Sequence, residues 1–580
     1  MRLILHYLKR YKLLLFFNVI SVVGFVLVEL GIPTILSEMI NNGVLKNDKQ
    51  YIYNVGGRIF IIAILGVLGT IAMGYCCARI STLVTRDIRN DVFKKIQSFS
   101  HEEMNHFGIS SLITRTNNDA FQILTFMNVI LRTALMTPAM IIVSFSLTFM
   151  TSVKLSLIIA STIPLIIIGV IIVGKISSPI SEKQQKSIDG LNRIFRENLT
   201  GIRVIRSFNN DEYESQRFGS ENVKLMNQTR KLFKLMASTE PVFFFLMNIA
   251  ALLIYFFAAR MIDANTLEIG NLVAFLEYLF HAMFSVMLFC MVFMMYPRAN
   301  VSAKRILEIL KTEPHITSKQ DLDQTNLEKE NTSGVVFKNV TFAYPDGEEA
   351  VLRDISFEAV RGETVAFIGS TGSGKSTLVQ LVPRFYDATS GSVLIDGVDV
   401  KDMNITSLRN KIGFVAQRAN LFSGTIEENI RFGKEDATKE EIIQASKVAQ
   451  AYDFIMEKPN QFDEKIVEGA TNVSGGQKQR LSIARSLVRN PQIYIYDDSF
   501  GALDFKTDAK LRYELKKAIK NKITLIVAQR VSTIMDADKI IVLNEGRIAG
   551  LGTHKQLLAS CPIYYEIAAS QLSKEELQYD

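Results

Sequence analysis

Six stretches of the chain are nearly unbroken runs of apolar residues: 13–40, 59–80, 131–151, 155–174, 242–262 and 271–297. About 20 mainly apolar residues cross a hydrocarbon core of roughly 30 Å as a helix, so each stretch predicts a membrane span. The connections 86–99 and 182–235 keep a helical period, with polar residues on one face, and read as extensions of the spans beyond the bilayer. Each extension is broken by a short polar or glycine-containing stretch, near 106–111 and near 209–214. Past residue 335 the pattern changes to short buried-strand signals, such as TVAFIG at 364–369 and IYIY at 493–496, set between polar and glycine-rich segments. The stretch 318–333, SKQDLDQTNLEKENTS, has almost no large apolar residues and reads as a linker. The expected organisation is a six-span α-helical membrane domain over 1–312 with long cytoplasmic extensions and two hairpins. A linker over 313–334, an α/β domain over 335–570 and a polar tail over 571–580 follow.

Composition agrees with this division. Of 580 residues, 48% are apolar and 21% charged, which excludes a disordered chain and is too apolar for an ordinary soluble enzyme. A net charge of +7 would suit a nucleic-acid binder if it were clustered on a soluble face, but it lies in the connections of the apolar half. The amino-terminal segment carries Arg2, Lys9, Arg10 and Lys12, residues 79–118 carry six basic residues, and 175–238 carry twelve. The opposite connections hold only Lys46, Lys49, Arg58, Lys154 and Arg260. Basic loops stay on the cytoplasmic side, so both termini and the α/β half are expected there, with lipid and not nucleic acid as surroundings. Three of the four cysteines, Cys76, Cys77 and Cys290, sit in apolar runs and read as buried thiols.

The strand 364–369 leads into Gly369, Ser370, Thr371, Gly372, Ser373, Gly374, Lys375, Ser376 and Thr377, then a helix-like run. This is the phosphate-binding pattern G-x-x-x-x-G-K-[ST] in its strand–loop–helix context. Its glycines let backbone N–H groups approach phosphates at a helix amino terminus; Lys375 can reach the β- and γ-phosphates and the Ser376 hydroxyl can ligate Mg²⁺. A second strand, 493–496, ends in Asp497, a partner for the same ion. Between them lie Val473, Ser474, Gly475, Gly476 and Gln477 at a helix start. Those residues suit a second phosphate-facing surface and a compact helix start equally well.

The order of phosphate loop, FVAQ, SGGQ, aspartate-ending strand and switch segment resembles ATP-binding-cassette (ABC) ATPases, and with six preceding spans the chain resembles an exporter half-transporter. The resemblance implies that Tyr344 stacks on adenine, that Gln417 helps ligate Mg²⁺ and senses the membrane half, that Glu468 faces the intracellular helices, and that Asp504 communicates across a dimer. It implies two ATPase domains that sandwich two ATP molecules, each between one chain's phosphate loop and the other's signature. The interruptions near 106–111 and 209–214 match coupling helices, the second crossing to the partner subunit.

Two positions depart from the family pattern. A glutamate that polarises the attacking water is expected after Asp497, and the chain has Asp498; a histidine is expected at 529, and the chain has Gln529. Aspartate is one methylene short, a misplacement on the order of 1 Å that costs roughly a hundredfold in rate. Glutamine donates a hydrogen bond but cannot carry the proton that a histidine can. ATP binding is expected to survive while hydrolysis is impaired, as in the degenerate-site subunit of bacterial heterodimeric multidrug exporters. The signature 474–477 would then complete the catalytic site of a second half-transporter.

The expected cargo is a small hydrophobic or amphipathic compound. Met283, Met287, Met291 and Met295 recur every four residues in the last span and suit an adaptable apolar site, although helix packing explains them as well. Glu29, Glu240, Glu277 and His281 lie in or beside spans, where ionisable groups face a cavity or a partner. Glu277 and His281 share a helix face, placed to attract a cation or to pair with each other. Only a dozen residues precede the first span, so neither a leading peptidase domain nor a capture domain is expected. A lipid or peptide exporter and an ATP-gated regulatory subunit are the competing readings.

Overall fold

The computed structural model describes residues 1–318, 334–345, 347–573 and 577, with all their side chains except those at 170, 290, 291, 293 and 294. Most of the expected linker, much of the polar tail and the side chain of Met291 lie outside the described residues. The chain forms two compact units, one of residues 1–97 and 108–312, the other of residues 98–107 and 313–580.

The first unit is helical. After a short α1 (Arg2–Leu8) come α2 (Lys12–Glu38) and α3 (Lys49–Gln97); after a short α4 (His101–Phe107) and α5 (Ile109–Thr114) come α6 (Ala120–Thr151), α7 (Val153–Ser207), α8 (Asp211–Asp263) and α9 (Ile269–Lys311). Among the described residues, six helical segments are long and apolar enough to cross a membrane. At 55 and 53 residues, α7 and α8 run about 80 Å at 1.5 Å per residue, far beyond a bilayer's apolar thickness. The break between them is only residues 208–210, narrower than the pattern suggests, because Asp211, Glu212 and Glu214 already occupy the favourable first turn of α8.

Apolar helices gain nothing from burying greasy faces in lipid, so close packing and polar ties must hold the bundle. Asn18 of α2 is fully buried; its Nδ2 donates to the Leu131 carbonyl of α6 at 3.0 Å, and its Oδ1 accepts from Cys77 Sγ of α3 at 3.1 Å. Thr34 and Tyr278 share a 2.6 Å hydroxyl contact between α2 and α9, and Thr137 Oγ1 donates to the Ser285 carbonyl. At the end rich in basic residues, Asp119 accepts from Ser302 Oγ at 2.8 Å and pairs with Arg305 at 3.2 Å, while Arg115 pairs with Glu308 at 2.6 Å. Tyr7 and Tyr11 donate to Asp91 and Asp87, fastening the amino-terminal segment to α3.

The second unit contains an antiparallel sheet in the order β2-β1-β4-β5, formed by β1 (Gly334–Phe342), β2 (Leu352–Val360), β4 (Ser390–Ile395) and β5 (Val398–Asp399). Its six-stranded sheet runs β12-β11-β3-β10-β9-β6, with β3 (Thr364–Gly369), β6 (Ile412–Val415), β9 (Ile493–Asp497), β10 (Ile523–Val527), β11 (Lys539–Asn544) and β12 (Arg547–Gly552). A two-residue pair, β7 (Gly424–Thr425) with β8 (Lys465–Ile466), lies apart. The strands β11, β3, β10, β9 and β6 are parallel. Parallel strands need both faces covered, and every residue of β9 and β10 is buried, as their mainly apolar sequences require. The phosphate-loop strand β3 and the aspartate strand β9 flank β10, so their carboxyl ends open side by side.

Residues 98–107 belong to this unit although they lie between two membrane-unit helices. His101 stacks on Phe385 at 4.7 Å, and Phe99 stacks on Phe107 at 5.7 Å. The buried Glu103 accepts from the backbone and hydroxyl of Ser100 at 2.7 and 2.5 Å and from the His315 backbone at 2.8 Å. Burial opposes its charge, but the hydrogen bonds from Ser100 and His315 outweigh burial and hold the carboxyl below its usual range.

Two outcomes follow. Asn18→Ala leaves the Cys77 thiol without its acceptor and opens a small cavity, at a cost of about 1–2 kcal/mol. The thermal midpoint of the solubilised protein should drop by about 2–6 °C. A depressed carboxyl stabilises above its unfolded value of about 4.3 and loses that contribution as pH falls through the folded value. Glu103→Gln should therefore speed amide exchange of residues 100–107 at pH 7. Acidification below pH ~4 should bring the unmodified chain up to the variant's rate.

Candidate nucleotide-binding site

The loop after β3 closes tightly enough that its glycines are dictated by space. Gly374 has φ +94°, and a Cβ there would sit 2.7 Å from Leu352 Cδ2, so another residue would be strained twice over. From that position α10 (Lys375–Leu381) begins, aiming its first free N–H groups into the loop. Lys375 is buried; its Nζ donates to the carbonyls of Gly369 and Ser370 at 2.9 and 2.7 Å and to Ser373 Oγ at 3.4 Å. Burial lowers its ammonium below the ordinary lysine value, and the charges of Asp498 and Asp497 resist that shift.

Across the sheet edge, Ser376 Oγ donates to Asp497 Oδ1 at 2.7 Å. Asp498 turns back in the left-handed region, φ +47°, with its N–H on the Val527 carbonyl at 3.0 Å. Aspartate tolerates that conformation better than most residues. Its Oδ2 accepts from Gln529 Nε2 at 2.8 Å and from Gln417 Nε2 at 3.2 Å. A carboxylate can only accept, so both amides present nitrogen to Asp498, and the Gln417 oxygen is left for a cation. Both carboxyls are raised above the usual aspartate range. Burial leads for each; the Asp498 charge adds to the effect at Asp497, and hydrogen bonds from Gln417 and Gln529 partly offset it at Asp498.

One cleft of about 270 Å³ has Thr371, Gly372, Gly374, Lys375, Ser376, Thr377, Gln417, Asp498 and Gln529 in its wall; Asp497 is not in that wall but bonds to Ser376, which is. Val351 and Val527 complete it, and the motifs gave no reason to single out either. Tyr344 is not in that wall; its hydroxyl shares a 2.9 Å contact with Thr377 Oγ1, and its ring meets Phe342 and Tyr386 edge-on. Nor are Ser474, Gly475, Gly476 and Gln477. They begin the helix Gly475–Val488, where Ser474 and Gln477 form a reciprocal capping box, with Ser474 and Gly475 exposed and Val473 buried beneath. The capping box accounts for the serine and the glutamine; the exposed Gly475 has open space around it. Asp504 caps the next long helix by accepting from the Thr507 N–H at 2.9 Å, and Glu468 is exposed.

In the membrane unit, Met283 is fully buried among apolar neighbours and Met287 packs at the edge of the same cluster. Glu277 is exposed and makes no ion pair among the described residues. The expected helix-face neighbours do not pair: His281 Nε2 lies 3.7 Å from Glu29 Oε2 instead, across from α9 to α2. Glu240 is exposed beside Pro241.

A phosphate loop on a parallel sheet, with a metal-ready serine and aspartate beside it and six long apolar helices in the other unit, defines a nucleotide-binding membrane protein. Residues 15–287 match the family model for the ABC transporter transmembrane region, and residues 352–501 match that for ABC transporters. An uncharacterized ABC transporter ATP-binding protein of Bacillus subtilis (strain 168) is 36% identical over 571 residues, covering 98% of each chain. A putative multidrug export ATP-binding/permease protein of the same organism is 33% identical, over 96% of this chain and 97% of its own. One of Staphylococcus aureus (strain NCTC 8325 / PS 47) is 31% identical, over 98% and 99%. The chain belongs to the ABC transporter family, as an exporter half-transporter whose second unit is an ATP-binding transport ATPase.

Lys375→Ala removes the one cation among the described residues of the cleft wall and should weaken binding of a fluorescent ATP analogue by at least about tenfold, since a lost charge-assisted contact costs roughly 1.5–3 kcal/mol. Titration of the purified chain checks this.

Proposed function

We propose that the chain is one half of a heterodimeric exporter of hydrophobic or amphipathic compounds, multidrug in type, whose own site holds ATP but hydrolyses it slowly. Supporting this reading above all is Asp498, whose carboxylate is held by two amides, Gln417 and Gln529. Its carboxyl is raised above the usual range, so basicity is not what it lacks. Reach is: the side chain is a methylene shorter than glutamate, and a general base must come within about 3 Å of the proton it takes. The amide at 529 holds Asp498 laterally and offers no titratable proton.

ATP would lie along the loop with its phosphates at the start of α10, near Lys375, and Tyr344 would take the adenine end. Ser376, Asp497 and the Gln417 oxygen have the hard oxygen donors that Mg²⁺ prefers, and the short Ser376–Asp497 contact already places two of them together. When bound, the ion would neutralise charge on the phosphates.

A second chain is part of the reading. The signature 474–477 is outside the cleft wall and suits the ATP of a partner. At the turn between α7 and α8, Phe208 and Tyr213 are exposed, a surface suited to the partner's ATPase domain. Residues 98–107 would take the corresponding role within this chain. The partner would carry glutamate and histidine where this chain has Asp498 and Gln529, and export would proceed by alternating access across the bacterial plasma membrane, with both termini cytoplasmic. The substrate-facing residues would include Glu277, His281, Met283, Met287 and Met291.

ATPase rates of this chain co-expressed with its genomic neighbour test the reading. Asp498→Ala should leave turnover within about threefold, whereas alanine at the partner's glutamate should lower it by a hundredfold or more. Equal losses from both changes would make Asp498 a working base and point to a symmetric, slow exporter.

A further inference from the structure

Between α2 and α3 lies a pocket of about 290 Å³, lined on one side by Phe25, Glu29 and Ile32 and on the other by Gly66, Thr70 and Ile71. The helices are brought together where α3 has no side chain: a Cβ on Gly66 would lie 2.5 Å from Val28 Cγ1. Glu29 is 17 residues into α2, about 26 Å along the axis from Lys12, well inside the apolar span.

The polar chemistry of the pocket has one sign. Its other polar wall residue is Thr70, whose hydroxyl already donates to the Gly66 carbonyl at 2.9 Å and so can only accept from a ligand. The carboxylate of Glu29 accepts as well. The ionisable neighbour of Glu29 is on α9: His281 Nε2 lies 3.7 Å away, too long for a hydrogen bond. A carboxylate at that depth is costly without a close counter-charge, and an aromatic and aliphatic wall around it favours a ligand with an apolar body.

We infer that this pocket binds an amphipathic organic monocation, its charge on Glu29 and its apolar body against Phe25, Ile32 and Ile71. An anion finds no donor in the wall. A neutral amphiphile gains the apolar contact without the charge. The site is apart from the methionine stripe of α9, and Glu29 rather than Glu277 sets its selectivity for charge. Its use in transport rests on the proposed export of amphipathic compounds; the binding itself does not.

The test is equilibrium dialysis of radiolabelled benzyltrimethylammonium against the purified full chain in an uncharged maltoside detergent, with empty micelles subtracted. The unmodified chain should bind saturably. Glu29→Gln should weaken binding at least tenfold, and Glu29→Asp should stay within threefold of the unmodified chain. Ile71→Trp, which crowds the pocket but keeps its charge, should also weaken binding. Absence of saturable binding, or equal affinity in the unmodified chain and Glu29→Gln, overturns the site; so does unchanged binding in Ile71→Trp. Glu29-dependent binding without ATP-driven export by the heterodimer would overturn the exporter reading and leave the site standing.

Discussion

A buried ammonium is the constraint around which the nucleotide unit is organised. Lys375 cannot remain charged in a low-dielectric setting unless acceptors surround it, and the loop supplies two carbonyls and a hydroxyl within 3.4 Å. The loop can curl that tightly only because its glycines admit left-handed backbone. The ammonium in turn makes two neighbouring carboxylates tolerable: Asp497 is tied to Ser376, and Asp498 is tied to two amides. Parallel strands bring these groups to one edge, because β3 and β9 both pair with β10, with Phe367 and Asp497 each opposite Val527. An ATP phosphate chain is the ligand that such an arrangement of N–H groups and a lysine is built to receive.

The membrane unit solves a different problem with similar means. Where burial of apolar surface no longer drives association, single buried polar groups take over the work of holding helices together. Asn18 joins three helices at once, and Asp119 joins the start of α6 to the end of α9. Ionisable groups at membrane depth have no such structural excuse unless they are paired closely. Glu29 is not, which is why its pocket stands out from the rest of the bundle.

The spans and the phosphate loop were legible in the sequence because length and spacing fix them: a run of 20 apolar residues and a G-x-x-x-x-G-K-S loop each have few physical alternatives. Asp498 and Gln529 were legible as departures from a pattern, but not their common hydrogen-bonded contact, which depends on a left-handed turn after β9. The signature illustrates an opposite limit, since SGGQ encodes a capping box as directly as it encodes a phosphate surface. The approach of His281 to Glu29, with no ion pair to Glu277, could not be read from helical spacing, because it depends on how α2 and α9 meet. Residues 98–107 join the nucleotide unit through Phe385, Tyr386 and His315, contacts more than 200 positions away in the chain for which no local pattern gives a signal.

The central claim is that the cleft lined by Lys375, Ser376 and Asp498 keeps ATP intact. It is tested most directly by incubating the purified chain with radiolabelled ATP and Mg²⁺, removing free nucleotide, and identifying what stays bound over time. The account predicts close to one nucleotide per chain, recovered as ATP after many minutes. Recovery as ADP within seconds would contradict it.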